Sequence, residues 1–145
     1  MELTETRKPP RSFWIIASLA LIWNAIGIMT YLMTVMMSPE ALEALPEAER
    51  ALYTDTPAWA TGAYAIAVFG GTLACVALLL RKAWAVPLFV VSLVAILIQM
   101  VHALFMTSLL EVRGPSAVVL PLLIVLIAAY LVWYSRSANK KGWIG

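Results

Sequence analysis

Between Phe13 and Met37, Pro57 and Leu80, Trp84 and Leu110, and Ser116 and Tyr134, the chain carries not one Asp, Glu, Lys or Arg. Charged residues occupy only 12% of the 145 positions, where about a quarter is usual in a soluble domain. With 63% hydrophobic residues and a mean hydropathy of +0.90, that scarcity excludes a water-soluble fold. A single cysteine, Cys75, excludes an intrachain disulfide, and a single histidine, His102, cannot supply the paired axial imidazoles of a haem within one chain. Charge-free runs also argue against proton-coupled exchange, which needs an ionisable group in the span, and against a channel lined by charged rings. No catalytic or cofactor motif of recognised spacing is present, so neither an enzyme nor a cofactor is expected.

What is present is four long apolar runs separated by short polar segments. Each run is long enough to cross a hydrocarbon core of ~30 Å as a helix, the run 84–110 with length to spare and the run 116–134 only just. Strands are excluded, because open strand edges in lipid leave backbone groups unsatisfied and the runs lack the polar alternation of a barrel. Arg7, Lys8, Arg11, Arg81, Lys82, Arg136, Lys140 and Lys141 fall in three flanking segments, whereas Glu40, Glu43, Glu47, Glu49, Asp55 and Glu111 fall in the two that alternate with them. By the positive-inside rule both termini lie in the cytoplasm, and the positive charges need no nucleic acid to explain them. The first run is too long for a signal peptide and no small-residue cleavage site follows it, so it reads as an uncleaved span. The expected fold is all-α: a single membrane domain, 1–145, forming an antiparallel four-helix bundle of two α-hairpins joined by Arg81, Lys82 and Ala83.

The outer loop 38–56 has its own signals. Ser38-Pro39 reads as an N-cap followed by proline at the first helical position, with Glu40 at the positive end of the helix dipole. Ala41, Leu45, Ala48 and Leu52 recur at helical spacing, predicting a short amphipathic helix interrupted at Pro46. Thr56-Pro57 repeats the cap signal ahead of the second span. This acidic loop reads either as a solvated cover for the bundle end or as the contact surface for another membrane protein; the other partners expected are the lipid bilayer and, for a transporter, a second copy of the chain.

Neutral polar residues inside the spans are the only candidates for a site, because a polar group in lipid must find a partner. Tyr31, Tyr64 and His102 lie about 9–13 Å below the outer ends, and Asn24 and Gln99 deeper. Two readings stand: Asn24 and Gln99 bridge helices by hydrogen bonds, or Asn24, Tyr31, Tyr64, Gln99 and His102 line a pocket for a small neutral polar solute. Trp23 is the one aromatic far from an interface. Asn24-x-x-Gly27-x-x-x-Tyr31 and Gln99-x-x-His102-x-x-x-Met106 share a spacing that fits either a duplicated hairpin or chance. Met29, Met33 and Met36 form a stripe that with His102 offers soft ligands for copper, but methionine also fills gaps in apolar packing, and no metal is expected. In the second span Ala63, Ala67, Gly70, Gly71 and Ala74 form a small-residue ridge that lets another helix approach closely.

The runs Met37-Ser38-Pro39-Glu40, Leu45-Pro46-Glu47-Ala48-Glu49-Arg50, Thr56-Pro57-Ala58-Trp59-Ala60 and Leu80-Arg81-Lys82-Ala83-Trp84-Ala85 resemble those of a family of small bacterial inner-membrane proteins, some of which carry the label sugar transporter. The resemblance extends over nearly the whole chain and implies an inner-membrane location. The proline-glutamine motif of small sugar-transporting bundles and the membrane glutamate of small multidrug exporters are both absent. The expected function is therefore a non-enzymatic membrane component or accessory subunit, with an oligomeric transporter of a small neutral solute such as a sugar as the alternative.

Overall fold

The structure, a computed structural model, describes residues 8–107 and 109–145, and these contain helices and no strand. The long helices are α1 (Arg11–Val35), α4 (Ala58–Leu79), α5 (Ala85–Phe105) and α7 (Val119–Lys140). Between α1 and α4 lie α2 (Pro39–Glu43) and α3 (Glu47–Thr54), and between α5 and α7 lie α6 (Leu109–Arg113) and a 3-10 turn (Pro115–Val118). The four long helices, α7 counted with the turn before it, are long and apolar enough to cross a membrane.

They pack in chain order, α1 on α4, α4 on α5 and α5 on α7. The contact between α4 and α5 is the most extensive, because α4 buries Ala60, Ala63, Ala67, Gly71, Ala74 and Ala77 along its length. Residues of this size let helix backbones approach closely, so dispersion and polar contacts replace the bulky core of a soluble bundle. Of the ridge residues, Gly70 alone is only half-buried, 3.9 Å from the Cβ of Ser92 were it to carry a Cβ of its own. Large apolar side chains point outward instead: Leu19, Met33, Phe105, Leu126 and Trp133 are all exposed. An apolar exterior around a small-residue interior suits a solvent of lipid chains.

One end of the bundle, the basic end, carries Arg11, Arg81, Lys82, Arg136, Lys140 and Lys141. It is closed by the buried side chains of Phe13, Leu78, Ala85, Tyr134, Ala138 and Ile144. Two helix terminations build this closure in the same way. After α4, Lys82 N–H donates to Ala77 O at 2.8 Å and Arg81 N–H to Leu78 O at 2.9 Å, with Arg81 at φ 59°. After α7, Trp143 N–H donates to Ala138 O at 2.9 Å and Gly142 N–H to Asn139 O at 3.1 Å, with Gly142 at φ 80°. Both are Schellman terminations, which need a left-handed residue and favour glycine; Arg81 takes that conformation without being one. The two ends then bind each other: Arg81 Nε donates to Trp143 O at 2.9 Å, Gly145 N–H to Arg81 O at 3.1 Å, and Ala83 N–H to Gly145 O at 3.2 Å. Segment 143–145 is thereby turned back onto the bundle, Trp143 meeting Phe13 edge-on at 6.0 Å and Ile144 fully buried.

Apolar runs and helices differ at their ends for local reasons. Run 84–110 is helical in α5 only to Phe105; Thr107 Oγ1 donates to Ala103 O and accepts from Leu109 N–H at 3.2 Å, ending one helix and starting the next. Run 116–134 stops at the first charge, but α7 continues to Lys140, since Arg, Ser and Ala past Tyr134 cost a helix little. In the segment between α1 and α4 the structure forms two short helices separated at Pro46, and Ser38 Oγ accepts from Ala41 N–H at 3.1 Å as an N-cap. Thr56 does not cap α4: its hydroxyl donates to Leu52 O at 2.8 Å, satisfying a carbonyl at the end of α3 instead.

Candidate functional site

α1 and α7 stand at the two ends of the packed row and meet at the basic end, where Phe13 stacks on Tyr134 at 6.4 Å. Above that contact they form opposite walls of a cavity of about 460 Å³ whose back wall is α4 and α5. Trp23, Asn24, Gly27 and Thr30 line it from α1, Tyr64 and Gly71 from α4, Ser92 and Gln99 from α5, and Leu120, Ile124 and Ala128 from α7. Phe89 and Leu131 form its base, and both belong to the cluster that closes the basic end. Leu109 and Arg113 stand at its other limit. The volume lies within the ~300–1,000 Å³ typical of small-molecule sites.

Helices α1, α4 and α5 converge at Gly71. A Cβ there would overlap Asn24 Oδ1 and come within 3.2 Å of Ser92 Oγ, so the glycine is what allows both polar side chains into the site. Asn24 Nδ2 donates to Ala20 O at 2.9 Å and to Cys75 Sγ at 3.4 Å, which leaves its carbonyl oxygen directed toward Gly71. Ser92 Oγ donates to Ala67 O at 2.7 Å across the α4–α5 contact. Asn24 thus links two helices and faces the cavity at once. A transmembrane contact of this kind is worth only ~0.6–2 kcal/mol.

Of the five polar residues singled out from the sequence, Asn24, Tyr64 and Gln99 line the cavity. Tyr31 lies behind Tyr64, edge-on to it at 5.2 Å and to Phe69 at 5.8 Å. His102 is buried, edge-on to Trp59 at 5.2 Å. Met29 and Met33 on α1 and Met36 at its C-cap are exposed. Among the described residues no three His, Cys, Asp or Glu side chains converge as a metal site would require.

Arg113 was not anticipated. The segments at the acidic end contain two basic residues, Arg50 and Arg113. Arg50 is held by backbone: Nε donates to Leu42 O at 3.0 Å, and Nη2 to Leu45 O at 3.0 Å and Glu43 O at 3.2 Å, satisfying carbonyls around the end of α2. Arg113 is exposed and donates to the Tyr53 hydroxyl at 3.5 Å. Two of the acids, Asp55 and Glu111, line a separate depression with Phe105 and Thr107, Glu111 sharing α6 with Arg113. The available signal for Arg113 was its sign: a basic residue on the acidic side runs against the partition of charge in the rest of the chain.

Comparison of the chain with protein families, with curated proteins and with solved structures returns no match.

Proposed function

We propose that this chain is a multi-pass protein of the bacterial inner membrane that shelters a small, mainly apolar molecule between its helices and performs no chemistry of its own. The observation that carries the reading is the cavity between α1 and α7, apolar over most of its wall and stopped at one end by Phe89 and Leu131. In this arrangement α1 with α4 and α5 with α7 form two antiparallel hairpins, and the basic end, with both termini, faces the cytoplasm. The charge partition and the resemblance to small inner-membrane proteins support that placement. The acidic surface of α2 and α3 would then be the contact face for any partner protein.

Orientation is tested by single-cysteine labelling in a Cys75→Ala background. Glu47→Cys should react with a membrane-impermeant maleimide in intact cells, and Ser137→Cys only after the membrane is opened. Labelling in the reverse order would overturn the orientation.

A second reading, passage of a small neutral polar solute, is favoured by the convergence of Asn24, Tyr64 and Gln99 on one cavity. It requires the closed basic end to open, or an oligomer to provide a path. Sugar uptake into proteoliposomes that is lost in Asn24→Ala and Gln99→Ala would establish it; stability loss with no uptake to lose would remove it.

A further inference from the structure

The lining of the cavity changes along its length. Phe89, Leu131 and Ile127 make its base wholly apolar, Asn24 and Ser92 stand about one turn above that base, and Gln99 and Arg113 lie toward the acidic end. On α5 the wall from Phe89 to Ala103 rises ~21 Å, and on α7 the wall from Leu120 to Leu131 rises ~16 Å. One leaflet is about half of the ~30 Å hydrocarbon core, so the cavity has the depth of a single acyl layer.

From this gradient, this depth and the position of Arg113, we propose that the cavity takes one acyl chain of an acidic membrane lipid, whose headgroup is held at the mouth by Arg113. The proposal rests on the membrane placement given above. Charge complementarity selects the headgroup: Arg50 is engaged by three carbonyls, whereas Arg113 makes one long hydrogen bond to Tyr53, itself a donor to a phosphate oxygen. Asp55 and Glu111, which would repel an anion, line the other depression. A lipid of the outer leaflet already stands with its head at this end and its tail pointing inward. It enters sideways between α1 and α7 without turning over, and its second chain stays in the bilayer.

The test uses the full chain in a neutral detergent, titrated with phosphatidylglycerol or phosphatidylcholine of matched chains and read by native mass spectrometry. Detergent removes orientation from the question, so failure here is separate from failure of the labelling experiment. One phosphatidylglycerol per chain should be retained, at least roughly fivefold more strongly than phosphatidylcholine, the effect of about one surface charge. Arg113→Gln should erase that preference, and the paired change Lys140→Gln with Lys141→Gln at the far end should leave it. Ala128→Leu and Ile124→Trp, two separate ways to fill the cavity from α7, should reduce retention of both lipids while helix content by circular dichroism is kept. Equal retention of the two lipids by the unaltered chain, preference that survives Arg113→Gln, preference lost in the lysine variant, or binding of free oleate to the exclusion of either diacyl lipid would overturn the proposal.

Discussion

Replacing Gly71 by alanine places a methyl group where Asn24 Oδ1 lies, and the effect should depend on whether that oxygen is there. In the unaltered background, Asn24 must rotate, loosening its hydrogen bonds to Ala20 O and Cys75 Sγ, and Ser92 must yield by a few tenths of an ångström. Overpacking of this kind costs ~1–3 kcal/mol, against which glycine-to-alanine in a helix returns up to ~1 kcal/mol. Gly71→Ala alone should therefore destabilise by ~1–2 kcal/mol. In an Asn24→Ala background the obstructing oxygen is gone, and the same methyl should be neutral or stabilise by up to ~1 kcal/mol, a coupling of ~1–3 kcal/mol. Gly62, whose Cβ would meet nothing within 4 Å, is the control, and its alanine variant should be unchanged or slightly more stable in both backgrounds. Equilibrium unfolding of the full chain in mixed micelles, with increasing sodium dodecyl sulfate, measures all the required differences. A Gly71→Ala cost that is the same with and without Asn24, within about 0.5 kcal/mol, would refute the placement of α1 against α4.

Arg81 adopts a left-handed conformation while its side chain anchors Trp143 O, so Arg81→Ala should keep the strain and lose the anchor, at ~1–2 kcal/mol and with faster proteolysis at segment 143–145. Arg81→Gly relieves the backbone and should be less harmful than Arg81→Ala by up to ~1 kcal/mol; an inverted order in the same unfolding assay would exclude the strain. The Tyr134 hydroxyl is buried without a hydrogen-bond partner among the described residues, so Tyr134→Phe should be neutral or stabilise by ~1 kcal/mol, and a large loss of stability would reveal a partner for it.

The long helices were legible because lipid-compatible runs must be free of charge, and Arg81-Lys82 and Glu111 punctuate them. Pro46 and Ser38 were legible for local reasons, since a missing N–H and a capping hydroxyl act within one turn. Hydropathy could not find the end of α7, because a helix continues past the last apolar residue wherever propensity allows. Nor could it find the cavity. Leu120 and Ile124 face a void while Leu126 faces outward, and nothing in their chemistry separates the two environments. The difference arises only when α1 and α7 fail to close on each other. Polarity picked out Asn24, Tyr64 and Gln99, but it could not place Tyr31 and His102 among aromatic neighbours, since depth along a helix says nothing of which face a residue occupies. Segment 143–145 was hidden for a similar reason: Trp143 and Ile144 are too few to show a period, and their burial depends on a left-handed Gly142 turning them back.

The docking of Trp143 and Ile144 has a mechanical consequence. It fastens the end of α7 to the turn between α4 and α5, and α1 reaches α7 at the same end through Phe13 and Tyr134. Val35 lies ~33 Å along α1 from Phe13, and over that length α1 is held by α4, through Asn24 to Cys75 and Tyr31 against Tyr64. The two side walls of the cavity are therefore fastened to each other at its base, and along the rest of its depth each rests on the back wall, α1 on α4 and α7 on α5.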